Sequence, residues 1–244
     1  MHSEAYGRLY QLHEKAGWQD RVAGERSKAQ LVRLFRQELN GKSVLDVGCG
    51  TGTFLRTIHT NLEHKALVGI DLSAEILPRE EEHVEFIRGN VIDFKMDKKF
   101  DVVFSDNIVE HIAFDDLSTH LRSITNALKA GGTLIIITPN RLFGPSDITI
   151  ITDSTHTNRV GALGMHLNET TYSEMISILQ EHGFSSFGTT IPTEHLRNYF
   201  PGVRISPKYA QVIESHKNLL RAMYKLNVPS ILLLPVVLVC NYFN

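Results

Sequence analysis

The chain has 244 residues, of which 42% are apolar, enough to bury one sizeable core and to carry an appended segment. Lysine and arginine (25) nearly balance aspartate and glutamate (27), so the chain lacks the positive field that is typical of a nucleic-acid-binding protein. The two cysteines, Cys49 and Cys240, are too few for a disulfide framework and lack metal-ligand spacing. The N-terminal residues do not resemble a signal peptide, and we expect a cytoplasmic protein with a small-molecule partner.

The predicted elements begin with an amphipathic helix in SKAQLVRLFRQEL, where Leu31, Phe35 and Leu39 recur every four residues. Asn40 and Gly41 end that helix. Five short apolar runs with few charges follow, as is typical of strands covered on both faces: SVLDV, ALVGID, VEFIRGN, FDVVFSD and GTLIIIT. Helix-like segments alternate with these runs, and this order predicts an α/β fold with a doubly wound, mostly parallel sheet and helices on both faces.

The regular alternation ends in the second half of the chain. The last helix-like segment of the alternation, DLSTHLRSITNALKAGG, is predicted to end at Gly131 and Gly132. Residues 141–168 then form a long insertion, and because such loops are usually functional we expect it to cover a site. In the tail VPSILLLPVVLVCNYFN the apolar part is shorter than the roughly 20 residues that a bilayer needs, and Pro235 interrupts it. We expect that tail to be buried and predict no membrane span.

The sequence VLDVGCGTG places three glycines at alternate positions directly after a predicted strand. Ligands of such sheets bind beyond the carboxyl ends of the strands. Gly48, Gly50 and Gly52 let a ligand approach the backbone closely, and the N–H groups of the next helix attract a negative group. The spacing differs from the G-x-G-x-x-G of dinucleotide sites, and Asp46 would repel a pyrophosphate but attract an ammonium group. The turn therefore suits a ligand with a carboxylate and an amine, such as an amino acid.

Polar side chains end the next two predicted strands. Asp71 lies about 20 residues past the glycine turn, where a carboxylate can accept hydrogen bonds from both hydroxyls of a ribose. Asn90 ends the third strand, where its amide could meet the edge of an adenine. The alternatives are a helix cap for Asp71 and a turn residue for Asn90. An amino acid, a ribose and an adenine together describe S-adenosylmethionine.

These segments resemble the class I S-adenosylmethionine-dependent methyltransferases. VLDVGCGTG matches the first motif of that family, GIDLS its second-strand acid, FDVVFSDNIVEHI its fourth strand and LKAGGTLIIITPN its fifth, in order. The resemblance implies a seven-stranded Rossmann-like sheet whose last strand is antiparallel, which VVLVCNYF can supply. It also implies that S-adenosylmethionine is the cofactor and S-adenosylhomocysteine the product.

The resemblance also assigns roles to residues. It places the glycines against the methionine moiety, Asp71 at the ribose, and Asn90 with the Val91 backbone at the adenine, although the family often has aspartate where Asn90 stands. Cys49 alternatively fills a small buried space. The predicted cofactor-binding residues are Asp46, Gly48, Cys49, Gly50, Gly52, Asp71, Leu72, Asn90, Val91 and Ser105. The predicted regions are a helical lid (1–40), a cofactor-binding core (41–190) and a C-terminal extension that completes the sheet and the acceptor pocket (191–244).

Catalysis is harder to place than binding. Methyl transfer from a sulfonium releases a neutral thioether, which needs no acid, but a hydroxyl acceptor must lose its proton. Glu110 and His111 follow the fourth strand, and His111 is the first candidate for a general base because histidine titrates near neutrality. The alternative is that this pair only begins a helix. His166 is the second candidate, unless HLNETTYSEM is a helix entry capped by Asn168 or Thr170 in which His166 is structural.

No metal site is predicted. Certain quinone-biosynthesis O-methyltransferases of this family bind a cation through a Glu-His pair and an acidic residue three positions before it. Asn107 stands at that position here without a charge, and hard cations prefer carboxylates. We predict methylation of an oxygen of a small molecule, such as a secondary-metabolite or sugar hydroxyl. A nitrogen or carbon acceptor and a non-catalytic cofactor-binding module are alternatives, and a homodimer is left open.

Overall fold

The structure is a computed structural model that describes residues 21–72, 82–141, 150–152, 159–161, 166–191, 194–216 and 236–243. Its helices are α1 (Arg21–Leu34), α2 (Arg36–Leu39), α3 (Thr53–Asn61), α4 (Phe114–Ala127), α5 (Tyr172–Glu181), α6 (Glu194–Tyr199) and α7 (Lys208–Ser215). A short 3-10 turn spans Val109–His111. The strands are β1 (Lys42–Val47), β2 (His64–Asp71), β3 (Glu85–Arg88), β4 (Phe100–Asp106), β5 (Leu128–Thr138), β6 (Ile150–Thr152), β7 (Arg159–Gly161), β8 (Phe184–Thr190), β9 (Arg204–Ile205) and β10 (Val236–Tyr242).

One large sheet has the strand order β3-β2-β1-β4-β5-β10-β8-β9. β1 lies parallel to both β2 and β4, and the parallel pairing continues outward to β3 and β5. β10 runs antiparallel to β5 and to β8. The predicted doubly wound, mostly parallel sheet and its antiparallel strand from VVLVCNYF are thus confirmed. The strand order reverses at β1, and ligands of this fold bind at the carboxyl ends of the strands at such a switch point.

The predicted seven strands are corrected to eight within the described part of the chain. The additional strand, β9, has two residues, Arg204 and Ile205, and pairs with the outer edge of β8. The helix predicted to end at Gly131 and Gly132 instead ends at Ala127, because both glycines belong to β5. A strand of two residues carries no alternating pattern, and Gly131 adopts a φ of 72° inside a strand rather than after a helix.

Alternate residues of the central strands face two separate hydrophobic layers. In β4, Val103 packs into the layer shared with α4 and α5, whereas Phe104 faces the layer of α1, α2 and α3. Phe54 of α3 stacks on Phe104 with ring centroids 4.0 Å apart, and Phe35 meets the same ring edge-on. Burying a side chain of this size contributes about 1.5–3 kcal/mol. Both faces of β4 are therefore covered, and its carboxyl end is held firmly in place.

The regions outside the central sheet are described in part. β6 and β7 form a two-stranded antiparallel sheet within the insertion, whose other residues up to 165 mostly lie outside the described ranges. Residues 1–20 of the predicted lid lie outside them too, while α1 packs against α3. Val236–Cys240 of the apolar tail are buried, as expected. Within the described part of the chain, no helix has the length and apolarity needed to cross a bilayer.

Candidate active site

The glycine turn after β1 requires glycine at two positions for steric reasons. Gly48 and Gly52 adopt φ values of 80° and 77°, which L-residues with side chains rarely adopt. A Cβ on Gly48 would overlap the Ile108 side chain, and one on Gly52 would overlap the Phe86 ring. Gly48 donates its N–H to the Ile70 carbonyl at 2.8 Å, so the turn is fastened to β2. The turn therefore lies between β2 and the segment that follows β4.

The carboxylate at the end of β2 is joined to this turn. Asp71 is 5% exposed, and its Oδ2 accepts the Gly50 N–H at 2.9 Å. Leu72 follows it and is half-buried. The Cys49 thiol lies against Gly69 of the same strand, and burial together with the nearby Asp46 and Asp71 raises its pKa. Cys49 is therefore a neutral packing residue of the turn and not a reactive thiolate.

Three ionisable groups, Lys28, Asp46 and Asp106, lie on the α1 side of the same turn. Lys28 of α1 donates to Asp106 Oδ2 at 2.7 Å. Burial alone would lower the pKa of Lys28, but Asp106 and Asp46 outweigh burial and the net shift is upward. Burial raises the pKa of Asp46 to about 7, Lys28 opposes that shift, and Asp106 and Asp71 add to it. Asp106 is therefore the ion-pair partner of Lys28, and Asp46 holds a proton more readily than an ordinary aspartate.

The residues predicted at the adenine are arranged as a local turn. Asn90 is exposed, and its Oδ1 accepts the Ile92 N–H at 2.9 Å. The Val91 carbonyl lies 2.7 Å from Nδ1 of the buried His120. Burial lowers the pKa of His120 to about 4, so that imidazole is neutral and donates to Val91. These contacts fit the turn alternative for Asn90, and its role at an adenine stays a prediction.

Two polar residues near the end of β4 are unusual. Ser105 is fully buried, and its hydroxyl has no hydrogen-bond partner among the residues described. A buried hydroxyl without a partner is the kind of group that a ligand or a water satisfies. Asn107 adopts a positive φ of 55° and donates from Nδ2 to Asp106 Oδ1 at 3.0 Å. Asparagine tolerates this backbone conformation better than most residues.

Glu110 is the buried acid of the 3-10 turn after β4. It is 1% exposed, and its Oε2 accepts the Thr138 hydroxyl at 3.1 Å. Burial raises its pKa to about 8 against the hydrogen bonds from its own backbone and from Thr138, while Asp106 and Glu169 add to the increase. Its backbone carbonyl accepts the N–H groups that follow His166, from Leu167 at 2.6 Å and from Asn168 at 3.1 Å. The end of the insertion is thereby docked on this turn.

That docking brings the three predicted catalytic residues together. The rings of His111 and His166 meet edge-to-face with centroids 5.0 Å apart. One ligand-type atom from each of Glu110, His111 and His166 lies within 4.8 Å of the others. His166 Nδ1 lies 2.7 Å from Glu169 Oε1, so a buried carboxylate orients that ring. We call Glu110, His111, His166 and Glu169 the acceptor cluster.

The helix-entry alternative for His166 is only partly right. α5 begins at Tyr172, and Thr171 is its N-cap, with Glu174 completing a capping box. The predicted caps Asn168 and Thr170 are therefore wrong, and His166 lies outside the helix with its ring against His111. Sequence reasoning also missed Lys28 and Glu169. The spacing of His166 and Glu169 was a weak signal, whereas nothing local to Lys28 indicates its contact with Asp106.

The residues at the switch point fit S-adenosylmethionine. The glycines of the turn leave the backbone without side chains at this edge, Asp71 is a buried acceptor at the end of β2, and Ser105 is an unsatisfied hydroxyl near the same edge among the residues described. Asp46 and Asp106 are acidic side chains near this edge, with Asp106 paired to Lys28, and an ammonium group or a sulfonium would be attracted to them. The residues that would hold the cofactor are thus the glycine turn, Asp46 and Asp71.

Comparison with known proteins agrees with this geometry. Residues 38–184 match the family described as "Methyltransferase domain". The trans-aconitate 2-methyltransferase of Rhodopseudomonas palustris is 29% identical over 110 residues, which are 44% of this chain and 42% of that protein. The ubiquinone biosynthesis O-methyltransferase of Coxiella burnetii is 30% identical over 122 residues, 46% of this chain and 50% of that protein. The matched region thus spans about half the length of these relatives or less.

The fold agrees with a solved structure along most of the chain. A SAM-dependent methyltransferase from Archaeoglobus fulgidus superposes with a TM-score of 0.54 and 22% identity, covering 89% of this chain and 94% of that one. That likeness concerns the fold, while the matched family covers more than half of the chain and includes the glycine turn, β2, β4 and the Glu110–His111 turn. The chain therefore belongs to the class I S-adenosylmethionine-dependent methyltransferases, whose cofactor is S-adenosylmethionine.

Proposed function

We propose that this chain transfers a methyl group from S-adenosylmethionine to an oxygen of a small molecule. The observation that carries this proposal is the position of the acceptor cluster. Ile108, two residues before Glu110, lies so close to Gly48 that a Cβ there would overlap its side chain. The two imidazoles of the cluster thus follow a segment that packs on the glycine turn, beside the place where the resemblance puts the methionine moiety.

An oxygen acceptor gives this cluster a chemical task. The cofactor, when bound, supplies a methyl group on a sulfonium and leaves as a thioether, so that the chain does not need to protonate a leaving group. The protein must align the acceptor, exclude water and remove a hydroxyl proton. Glu169 fixes the tautomer of His166, with Nδ1–H toward the carboxylate, so that Nε2 can accept a hydrogen bond or a proton. An amine acceptor that is neutral at its nitrogen needs no such group before attack.

The relatives are compatible with an oxygen acceptor. The Coxiella relative is named an O-methyltransferase, as is the malonyl-[acyl-carrier protein] O-methyltransferase of Priestia megaterium, which is 26% identical over 112 residues, 44% of this chain and 39% of that protein. Their acceptors differ, so the names support the element that is methylated and not a particular compound. A net charge of −2 favours a small acceptor over a nucleic acid.

The test has two stages. Calorimetry with S-adenosylhomocysteine and NAD should give binding of the first and none of the second. Release of S-adenosylhomocysteine from S-adenosylmethionine is then measured with hydroxyl-bearing acceptors, namely catechols, sugars and hydroxy acids, and with their matched amino analogues. Turnover of hydroxyl compounds that exceeds turnover of the amino analogues supports the proposal. Methylation of the amino analogues alone would overturn it.

A further inference from the structure

We propose that Glu110, His111 and His166 bind a divalent transition-metal ion beside the methyl acceptor. This departs from the prediction of no metal, which considered Asn107 and no residue of the insertion. The proximity of the three side chains supports the site independently of the reaction, and only the role of the ion rests on the proposed function.

The separation of the three side chains suits a single ion. Imidazole nitrogens and carboxylate oxygens lie about 2.0–2.2 Å from a zinc-like ion, so three tetrahedral ligands of one ion lie about 3.3–3.6 Å from one another. The ligand-type atoms of Glu110, His111 and His166 lie within 4.8 Å of each other before any ion is placed. Side-chain rotations that bring these atoms closer by about 1 Å therefore complete the set.

The contact between His166 and Glu169 is the second observation. Histidines that bind metals usually donate their other ring N–H to a carboxylate or carbonyl, which fixes the tautomer and orients the ring. His166 Nδ1 lies 2.7 Å from Glu169 Oε1, and the two side chains are 12% and 7% exposed. This arrangement directs Nε2 of His166 away from Glu169, where it is oriented to bind an ion. A histidine on the surface is not usually oriented by a buried carboxylate in this way.

The charges in the cluster also point to a cation. Two acidic side chains, Glu110 and Glu169, lie beside the two imidazoles of the cluster. Among the described residues no lysine or arginine forms an ion pair with Glu110, whose one recorded side-chain partner is the Thr138 hydroxyl. Burying a carboxylate without an opposite charge is costly. A divalent cation would supply the charge that the protein side chains at this point do not.

The donor set indicates the kind of ion. Two imidazoles and one carboxylate suit Zn²⁺, Co²⁺, Fe²⁺ or Mn²⁺, whereas Mg²⁺ and Ca²⁺ prefer a set made of oxygens. Three protein ligands leave coordination positions for an acceptor. A bound ion would lower the pKa of a coordinated hydroxyl, whose proton would leave to solvent, and His166 would then act as a ligand instead of as the proton acceptor. The acceptor oxygen then forms its bond to the methyl carbon while the carbon–sulfur bond breaks and sulfur keeps the electron pair. The inference narrows the acceptor class to hydroxyls that can coordinate a metal, such as catechols and hydroxy acids.

The first experiment measures binding without cofactor or acceptor. Chelator-treated full-length protein is titrated with Co²⁺ by visible absorption and with Zn²⁺ by calorimetry. One ion per chain is expected. His166→Ala and Glu110→Gln should each weaken binding at least 10-fold, and Glu169→Gln about 10–100-fold, as for other residues that orient metal ligands. Glu110→Gln keeps the shape of the side chain, and unchanged binding of S-adenosylhomocysteine would show that each variant is folded.

A matched control separates this site from a surface histidine pair. His59 Nδ1 and His64 Nε2 lie 2.9 Å apart at the opposite end of the sheet and could bind added metal by themselves. His59→Ala should therefore leave the tight ion in place. Binding that is lost in His59→Ala but kept in His166→Ala would overturn the proposal, as would failure of wild-type protein to bind either ion.

Failure of the metal site and failure of the proposed oxygen specificity give different experimental results. If the ion binds in the cluster but only amino compounds are methylated, the proposed oxygen specificity fails and the metal site stands. If hydroxyl compounds are methylated equally with and without chelator and no ion binds, the metal site fails and the oxygen specificity stands. If both hold, methylation of a catechol should fall at least 10-fold with chelator and return when metal is restored.

Discussion

At the end of β1, a few consecutive residues build the glycine turn, whereas at the end of β4 the acceptor cluster needs two distant segments, residues 110–111 and 166–169. The turn works through backbone N–H groups and positive φ angles. The cluster works through side chains that meet because Leu167 and Asn168 donate to the Glu110 carbonyl. The cofactor end of the site is therefore encoded locally, and the acceptor end depends on how the insertion docks.

The largest expected effect tests whether the acceptor cluster can be disabled without loss of cofactor binding at the glycine turn. His111→Ala should reduce turnover of the true acceptor by about 10²–10⁴-fold, whether the imidazole acts as a base or as a ligand. Cofactor affinity should stay within about twofold, because His111 is no part of the glycine turn. Steady-state kinetics and calorimetry on the same preparation measure both quantities. A large loss of cofactor affinity would show that the two ends are one cooperative unit.

The next effect concerns pH and the cofactor end. The folded pKa of Asp46 is about 7, above its ordinary value of 3.8. The free energy of unfolding therefore contains a contribution from protonated Asp46 that is complete below pH 3.8. This contribution is lost as the pH rises from 3.8 through 7, because the unfolded chain releases this proton at a lower pH than the folded protein does. Between pH 4 and 8 the free energy of unfolding of wild type should therefore fall relative to Asp46→Asn, on the order of 4 kcal/mol. Urea denaturation across this range measures it, and parallel pH curves would contradict it.

A pair of glycine variants isolates the steric requirement of the turn. Gly48 and Gly131 have φ values of 80° and 72°, but a Cβ on Gly48 overlaps Ile108, whereas one on Gly131 meets nothing within 4 Å. Gly131→Ala should cost about 1–2 kcal/mol of stability from backbone strain alone. Gly48→Ala should cost about 2–4 kcal/mol and weaken S-adenosylhomocysteine binding as well. Equal losses in denaturation would mean that Ile108 moves aside freely.

The smallest effects compare two strand ends. If Asp71 binds the ribose as predicted, Asp71→Ala should weaken S-adenosylhomocysteine binding by about 1–3 kcal/mol, because it removes the acceptor of the Gly50 N–H and of the ribose hydroxyls. Asn90→Ala should cost about 0.5 kcal/mol or less if its amide serves only the local turn with Ile92. Calorimetry decides both, and a larger loss at Asn90 than at Asp71 would restore Asn90 as the main adenine contact.

The difference between the glycine turn and the acceptor cluster also explains which features could be predicted from the sequence. VLDVGCGTG and the apolar runs after it predicted the turn and the parallel strands, because each has a periodic or turn-specific pattern, whereas the antiparallel β10 was predicted only through the family resemblance. β9 was missed because two residues carry no pattern. The cap of α5 was predicted at Asn168 or Thr170 and lies at Thr171. Lys28 and Glu169 were missed because their roles arise from packing between segments, which spacing does not record.

The placement of β10 has a consequence for how the chain is made. This strand follows all the others in sequence, yet it lies between β5 and β8 inside the sheet. Until residues 236–242 have left the ribosome, the nascent protein exposes two long unpaired strand edges, which are the surfaces through which sheets aggregate. Deletion of these residues would remove a central strand and separate β8 from β5. A folding reporter fused after β10 should therefore respond to folding defects on either side of this strand.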